Sequence, residues 1–183
     1  MSIDIKQFHD LILVPTMNSV SLYSKESCQL IIGTGCQESQ FTFLHQEGNG
    51  PALGFFQCES LTYRNIINDV FLHDINLKQR FLSTLGYEMM PDFSFLVWNL
   101  KLACLVCRLH YHRIQEKIPC DLPGQAAYYK KYYNTILGKA TTEEYIENFK
   151  SKLPESETAQ VPAELTTDFP EEYGFDKEPV KSL

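Results

Sequence analysis

No stretch of the 183 residues holds the roughly 18–20 consecutive apolar residues that a membrane-crossing helix requires. A basic excess is also missing: 16 Lys and Arg stand against 23 Asp and Glu, for a net charge of −7. A chain that grips nucleic acid wants a cationic face, so that class of partner is not expected. The first residues, MSIDIKQFHDLILVP, carry an acid near the start and no small-residue cleavage site. They do not read as a signal peptide, and synthesis in a cytoplasm is expected. Cys104 and Cys107 form a C-x-x-C, but no second pair at zinc-site spacing accompanies them. They lie in an apolar helical pattern. His110 and His112 close by cannot complete a tetrahedral site alone. No metal is expected, and the six cysteines are expected to be buried, reduced thiols.

The chain is 44% hydrophobic and 21% charged, as ordinary globular proteins are, and is long enough for one core. Helical spacing of Ile3, Phe8, Leu11 and Ile12 predicts a first helix stopping at Pro15. A second is predicted from about Ser24 through CQLIIGTGCQES. Residues 40–58 are polar and glycine-rich, with Phe41 and Phe43 alternating, which predicts a small β-hairpin. Further helices follow, one capped by Ser60 or Thr62 and one by Asn76, the latter stopped by Gly86. The longest is predicted over 94–116, with Phe95, Trp98, Leu102, Leu105, Val106 and Leu109 as its core stripe. A tyrosine-rich segment and a last helix, opened by a Thr141–Glu144 capping box, complete the body. The fold class is therefore mainly α (α+β): about six helices around a central one, with a small β-hairpin. Residues 1–150 form one domain. Residues 151–183 hold three lysines, eight acidic groups and four prolines without sustained periodicity. They read as an acidic extended or disordered tail.

One carboxylate stands out. Gly33, Thr34, Gly35 and Cys36 keep the end of the second helix slim, so other elements can approach closely. Glu38 follows at the helix C-terminus, where the macrodipole and apolar surroundings both disfavour ionisation. A carboxylic acid kept protonated near neutral pH is what a general acid in glycosidic bond cleavage requires.

The pattern around Glu38 resembles a known family. Glu38-Ser39, followed 19 positions after Glu38 by Gln57 at the end of G54-F55-F56-Q57, is similar to the Glu-Ser and G-L-M-Q-like blocks of soluble lytic transglycosylases. G48-N49-G50 ahead of that segment resembles goose-type lysozyme. Downstream, W98-N99-L100 and the A126-A127-Y128, Y132-Y133-N134 and Gly138 stretch fit the family's order. The blocks cover about residues 22–140 and look closest to bacteriophage-encoded members of the lysozyme-like superfamily. The resemblance implies a lysozyme-like fold and cleavage of the β-1,4 bond between N-acetylmuramic acid and N-acetylglucosamine in peptidoglycan.

Carried to the matching positions, it implies that Glu38 is the catalytic acid and that Ser39 helps hold the loop at a substrate-binding position. Gly54 and Gln57 would shape the floor of the sugar cleft. Tyr133 would lie near Glu38, and Asn134 would bind substrate. Glu47 and Glu59 stand where goose-type lysozyme carries acids that assist a water. No cofactor is implied, since proton transfer suffices. Without a dedicated second acid the lytic transglycosylase reaction is favoured; with one, the protein would be a hydrolytic muramidase. A non-catalytic lysozyme-like structural protein of a virion is the competing class. The partners implied are peptidoglycan glycan strands and, through the 151–183 tail, other virion proteins. The location implied is the virion, or the host cytoplasm before release to the periplasm.

Overall fold

The computed structural model describes residues 3–134 and 138–152. It is mainly helical, and no strand forms among these residues. The chain begins with α1 (Ile5–Phe8), a π-helical turn at His9–Leu13 and α2 (Val14–Ser19). Helix thus continues past Pro15, where a stop was expected. The wide turn is the reason: Val14 N–H bonds back to His9 O, which opens the coil just before the proline ring. Pro15 then occupies the first turn of α2, where its missing N–H costs least.

α3 (Lys25–Glu38) starts at the expected Ser24, which exchanges side-chain and backbone hydrogen bonds with Ser27. Its slimness has a visible purpose. The Tyr145 hydroxyl fills the place a Cβ on Gly33 would take, and the Phe41 ring fills the same place at Gly35. Larger residues would push both rings away. Thr34, between them, bonds Leu30 O at 2.8 Å and the Tyr111 hydroxyl at 2.7 Å.

The predicted hairpin over 40–58 is not found as strands. Isolated bridges join His45 to Leu53 and Leu53 to Cys58, around a 3₁₀ turn at Glu47–Asn49. Phe41 and Phe43 cannot alternate as a strand, because Gln40 and Phe41 both adopt left-handed backbone with φ of 51°. That reversal drives the Phe41 ring into the core, where it meets Phe8, Phe55 and Phe56.

α4 (Ser60–His73) and α5 (Ile75–Leu85) follow. Neither Ser60 nor Thr62 caps α4; the cap position is Glu59, whose side chain makes no capping bond. α5 is capped by Asp74, not Asn76, through a 2.8 Å bond from Leu77 N–H. Gly86 ends it in left-handed backbone as expected. The central helix, α6 (Leu100–His112), is shorter than predicted. Asn99 caps it by accepting from Leu102 N–H, so Phe93–Val97 becomes a separate 3₁₀ turn and Trp98 is left 59% exposed. Leu102, Leu105, Val106 and Leu109 are fully buried, and α6 packs against α2, α3, α4 and α5.

α7 (Leu122–Tyr129), capped by Asp121, runs into a π turn at Lys130–Asn134. α8 (Thr142–Lys152) opens with the predicted capping box: Glu144 N–H donates to Thr141 Oγ1 while Thr141 N–H donates to Glu144 Oε2. It lies along α3 and inserts Tyr145 and Phe149 into the core. The acidic tail lies, from residue 153 on, outside the described residues. Five cysteines are buried as expected, but Cys120 is exposed. It sits in the turn before α7, away from any apolar helix face.

Candidate active site around Glu38

Glu38 is the last residue of α3, and the chain reverses immediately behind it. Ser39 is the pin of that reversal. Its hydroxyl donates to Phe55 O at 2.7 Å and accepts from Phe41 N–H at 3.1 Å. Being buried with both roles satisfied inside the protein, it holds the loop and offers nothing to a ligand.

Gly54 marks the return of the ribbon. It has φ of 73°, and a Cβ there would stand 2.7 Å from Leu96 O. Its carbonyl accepts from both the backbone N–H and the side-chain Nε2 of Gln57, at 3.0 and 2.8 Å. Gln57 is itself left-handed, with φ of 45°. Gln40 and Phe41, in the reversal right after Glu38, and Gln57, on the ribbon beside it, are three of the five left-handed non-glycine residues, with Ser21 and Asn49 elsewhere. Such conformations each cost on the order of 1–3 kcal/mol and gather at functional sites.

The ribbon closes a cleft of about 270 Å³, lined by Glu38, Phe43, Gln46, Glu47 and Gln57. Its lining mixes polar side chains with one aromatic wall. Glu38 is largely buried, and burial pushes its carboxyl up to about 7. The Tyr129 hydroxyl donates to Glu38 Oε1 at 2.5 Å, which pulls in the opposite direction but does not prevail. A bond to the ionised form favours that form, yet here removal of water is the larger effect. The result is an acid half-protonated near neutral pH at the side of an open cleft.

Sequence reasoning put Tyr133 beside Glu38, whereas the hydroxyl that reaches it belongs to Tyr129, one helical turn earlier. Tyr133 stacks on Tyr129, with ring centroids 5.8 Å apart, and donates its own hydroxyl to Phe56 O at 2.6 Å. It therefore ties the tyrosine segment to the ribbon. Asn134 is tied to its own segment, its side-chain oxygen accepting from Lys130 Nζ at 2.9 Å. The four-residue spacing between Tyr129 and Tyr133 was the available signal. It could not say which ring meets the acid, because the π turn after Tyr129 changes the phase of the helix.

The two further acids part company. Glu47 is exposed on the 3₁₀ turn and lines the same cleft as Glu38. Glu59 is exposed at the head of α4 and is not on that lining. Gln46 and Phe43 were not expected as site residues; both are cleft residues by virtue of the ribbon's path. Among the described residues no three His, Cys, Asp or Glu come together as metal ligands. His110 lies under Tyr133 and burial lowers it to about 4, so it stays neutral over the working range; its Nε2 donates to Tyr132 O.

Comparison of the chain with protein-family models, curated proteins and solved structures finds no significant match. The site's meaning therefore rests on its own chemistry. No helix among the described residues is long and apolar enough to cross a membrane.

Proposed function

We propose that this protein is a phage-encoded peptidoglycan glycosidase of the lysozyme-like type, with Glu38 as its general acid. The observation that carries the reading is a largely buried carboxyl, raised to about 7, opening onto a cleft. An enzyme that breaks an unactivated glycosidic bond must protonate the leaving oxygen, and an acid with a pKa near the working pH does this best. In the proposed reaction Glu38 gives its proton to the oxygen bridging N-acetylmuramic acid and N-acetylglucosamine. The C–O bond breaks with its electron pair on that oxygen, leaving an oxocarbenium-like sugar. The sugar's own 6-hydroxyl then attacks, Glu38 takes up its proton, and a 1,6-anhydro end results. Phe43, 39% exposed, offers an apolar wall to a sugar face, and Gln46 and Gln57 offer amides to its hydroxyls.

One observation favours a second reading, hydrolysis: Glu47 shares the cleft with Glu38. A carboxylate across the cleft, roughly 6.5–9.5 Å from the acid, can activate a water in an inverting mechanism. Mass spectrometry of digested murein decides between them. Products one water lighter than reducing-end muropeptides support the transglycosylase; reducing ends that vanish in Glu47→Gln support the muramidase. No cleavage by the wild-type chain would overturn both.

A further inference from the structure

A larger cleft, of about 660 Å³, lies at the other end of α3. Ser24, the N-cap of the helix, stands on its wall, so 14 residues separate it from Glu38. At 1.5 Å per residue that is roughly 20 Å, too far for one sugar to touch both. The walls come from the end of α6, the 113–121 turn and the start of α3.

Arg108 is the unusual group here. It is half-buried, and its Nε donates to Leu22 O at 3.1 Å. The guanidinium makes no other hydrogen bond and no ion pair among the described residues. Two acids share the cleft but do not answer it. Glu116 is taken by Lys131 at 2.7 Å and by the Tyr132 hydroxyl at 2.5 Å, while Glu26 pairs with no cation among the described residues. A partly desolvated cation without a counter-charge is costly, and a ligand that supplies the charge recovers that cost.

We infer that this cleft binds a carboxylate, taken end-on by the two Nη groups of Arg108. With Nε already committed to Leu22, the Nη pair is the edge of the fork still open to a planar, two-oxygen acceptor. Lys117 also stands on this cleft, but Glu26 and Glu116 balance it and Arg108, so a monoanion fits better than a multiply charged anion. Ile114, Ile118 and Pro119 add an apolar stretch of wall that suits an acid with a hydrophobic body. The site does not depend on the glycosidase reading.

Cys120 supplies a direct test, because it lies on this cleft and is exposed while the other five thiols are buried. Alkylation of the full chain by iodoacetate, a carboxylate reagent, is compared with neutral iodoacetamide by intact mass. The iodoacetate-to-iodoacetamide rate ratio at Cys120 falls several-fold in Arg108→Gln and rises in Glu26→Gln. Benzoate, or a tripeptide with a free but not an amidated C-terminus, protects Cys120 at millimolar concentration. Protection by benzoate points to a small acid, protection by the tripeptide alone to a peptide terminus. Should Arg108→Gln not fold, Arg108→Lys keeps the charge without the fork and loses the protection. An unchanged ratio in the Arg108 variants, or no protection by either probe at tens of millimolar, overturns the inference.

Discussion

Replacing Glu38 by glutamine should abolish cleavage and, at the same time, make the protein more stable at alkaline pH. The amide matches the protonated acid in shape, and its Oε1 still accepts the Tyr129 hydroxyl. The stability gain follows from the raised carboxyl. Its ordinary value is 4.5 and its folded value about 7. Below about pH 4.5 the group is protonated in both folded and unfolded chains and costs nothing. Between 4.5 and 7 the unfolded chain releases the proton while the folded one keeps it, so stability falls as pH rises. Above 7 the fold carries the full penalty of a buried carboxylate. A shift of this size, at 1.36 kcal/mol per unit, corresponds to about 2–3 kcal/mol once partial solvent contact is allowed for. Urea unfolding of wild type and Glu38→Gln should therefore coincide at pH 4 and separate by about 2–3 kcal/mol at pH 8, the variant being the more stable. Asp10 and Asp92, which titrate lower, are common to both chains and cancel in the difference. A difference that ignores pH, or a variant less stable at pH 8, refutes the buried-acid argument. Residual murein cleavage within tenfold of wild type refutes the catalytic one.

The other predictions address the supports of the site. Tyr129→Phe removes the bond that holds the Glu38 value down, so the alkaline limb of kcat/KM, near pH 7 in wild type, should move to higher pH. A limb that moves lower would show that Tyr129 acts otherwise. Gly54→Ala forces a Cβ onto Leu96 O in left-handed backbone and should cost on the order of 2–3 kcal/mol by denaturant unfolding. Gly86→Ala, also left-handed but with open space around it, isolates the backbone cost and should lose only about 1 kcal/mol. Native thiol titration should find one fast cysteine, Cys120, with all six reacting only after unfolding, and reductant should leave Tm unchanged. Ending the chain after Lys152 should preserve the fold, whereas ending it at Ala140 should unfold it, because Tyr145 and Phe149 belong to the core.

The parts of the fold that were legible in the sequence are those set by local chemistry. The Ser24 cap, the Gly86 stop and the Thr141–Glu144 box depend on residues a few positions apart, and each is present. The small residues of α3 read correctly as a place of close approach, though not that Tyr145 and Phe41 would make it. What failed was decided at long range or by fine backbone geometry. Phe41 alternates with Phe43 as a strand would, but three aromatic partners draw its ring inward through a left-handed turn. Trp98 fits the helical period of α6, but Asn99 starts the helix later by capping it. The raised carboxyl of Glu38 was legible, since its helix end and apolar neighbours are both in the sequence. Its hydroxyl partner was not, because a π turn between two tyrosines leaves no compositional trace.

The energetics of the site point the same way as its shape. A chain selected only to be stable would not leave a carboxyl at a helix C-terminus, where the macrodipole opposes its charge, and bury it as well. Nor would it hold Gln40, Phe41 and Gln57 in left-handed backbone within the loop and ribbon that wall it. Each choice lowers stability, and together they oppose folding by several kcal/mol at neutral pH. Glycine at 40, or an amide at 38, would relieve the strain without removing a core side chain. A destabilising acid able to give up a proton near pH 7, beside a strained loop and ribbon, is the kind of feature that proton transfer favours and stability alone does not. On the proposed reading Glu38→Gln should both stabilise the fold and abolish cleavage, and measuring only one of these would leave the argument half tested.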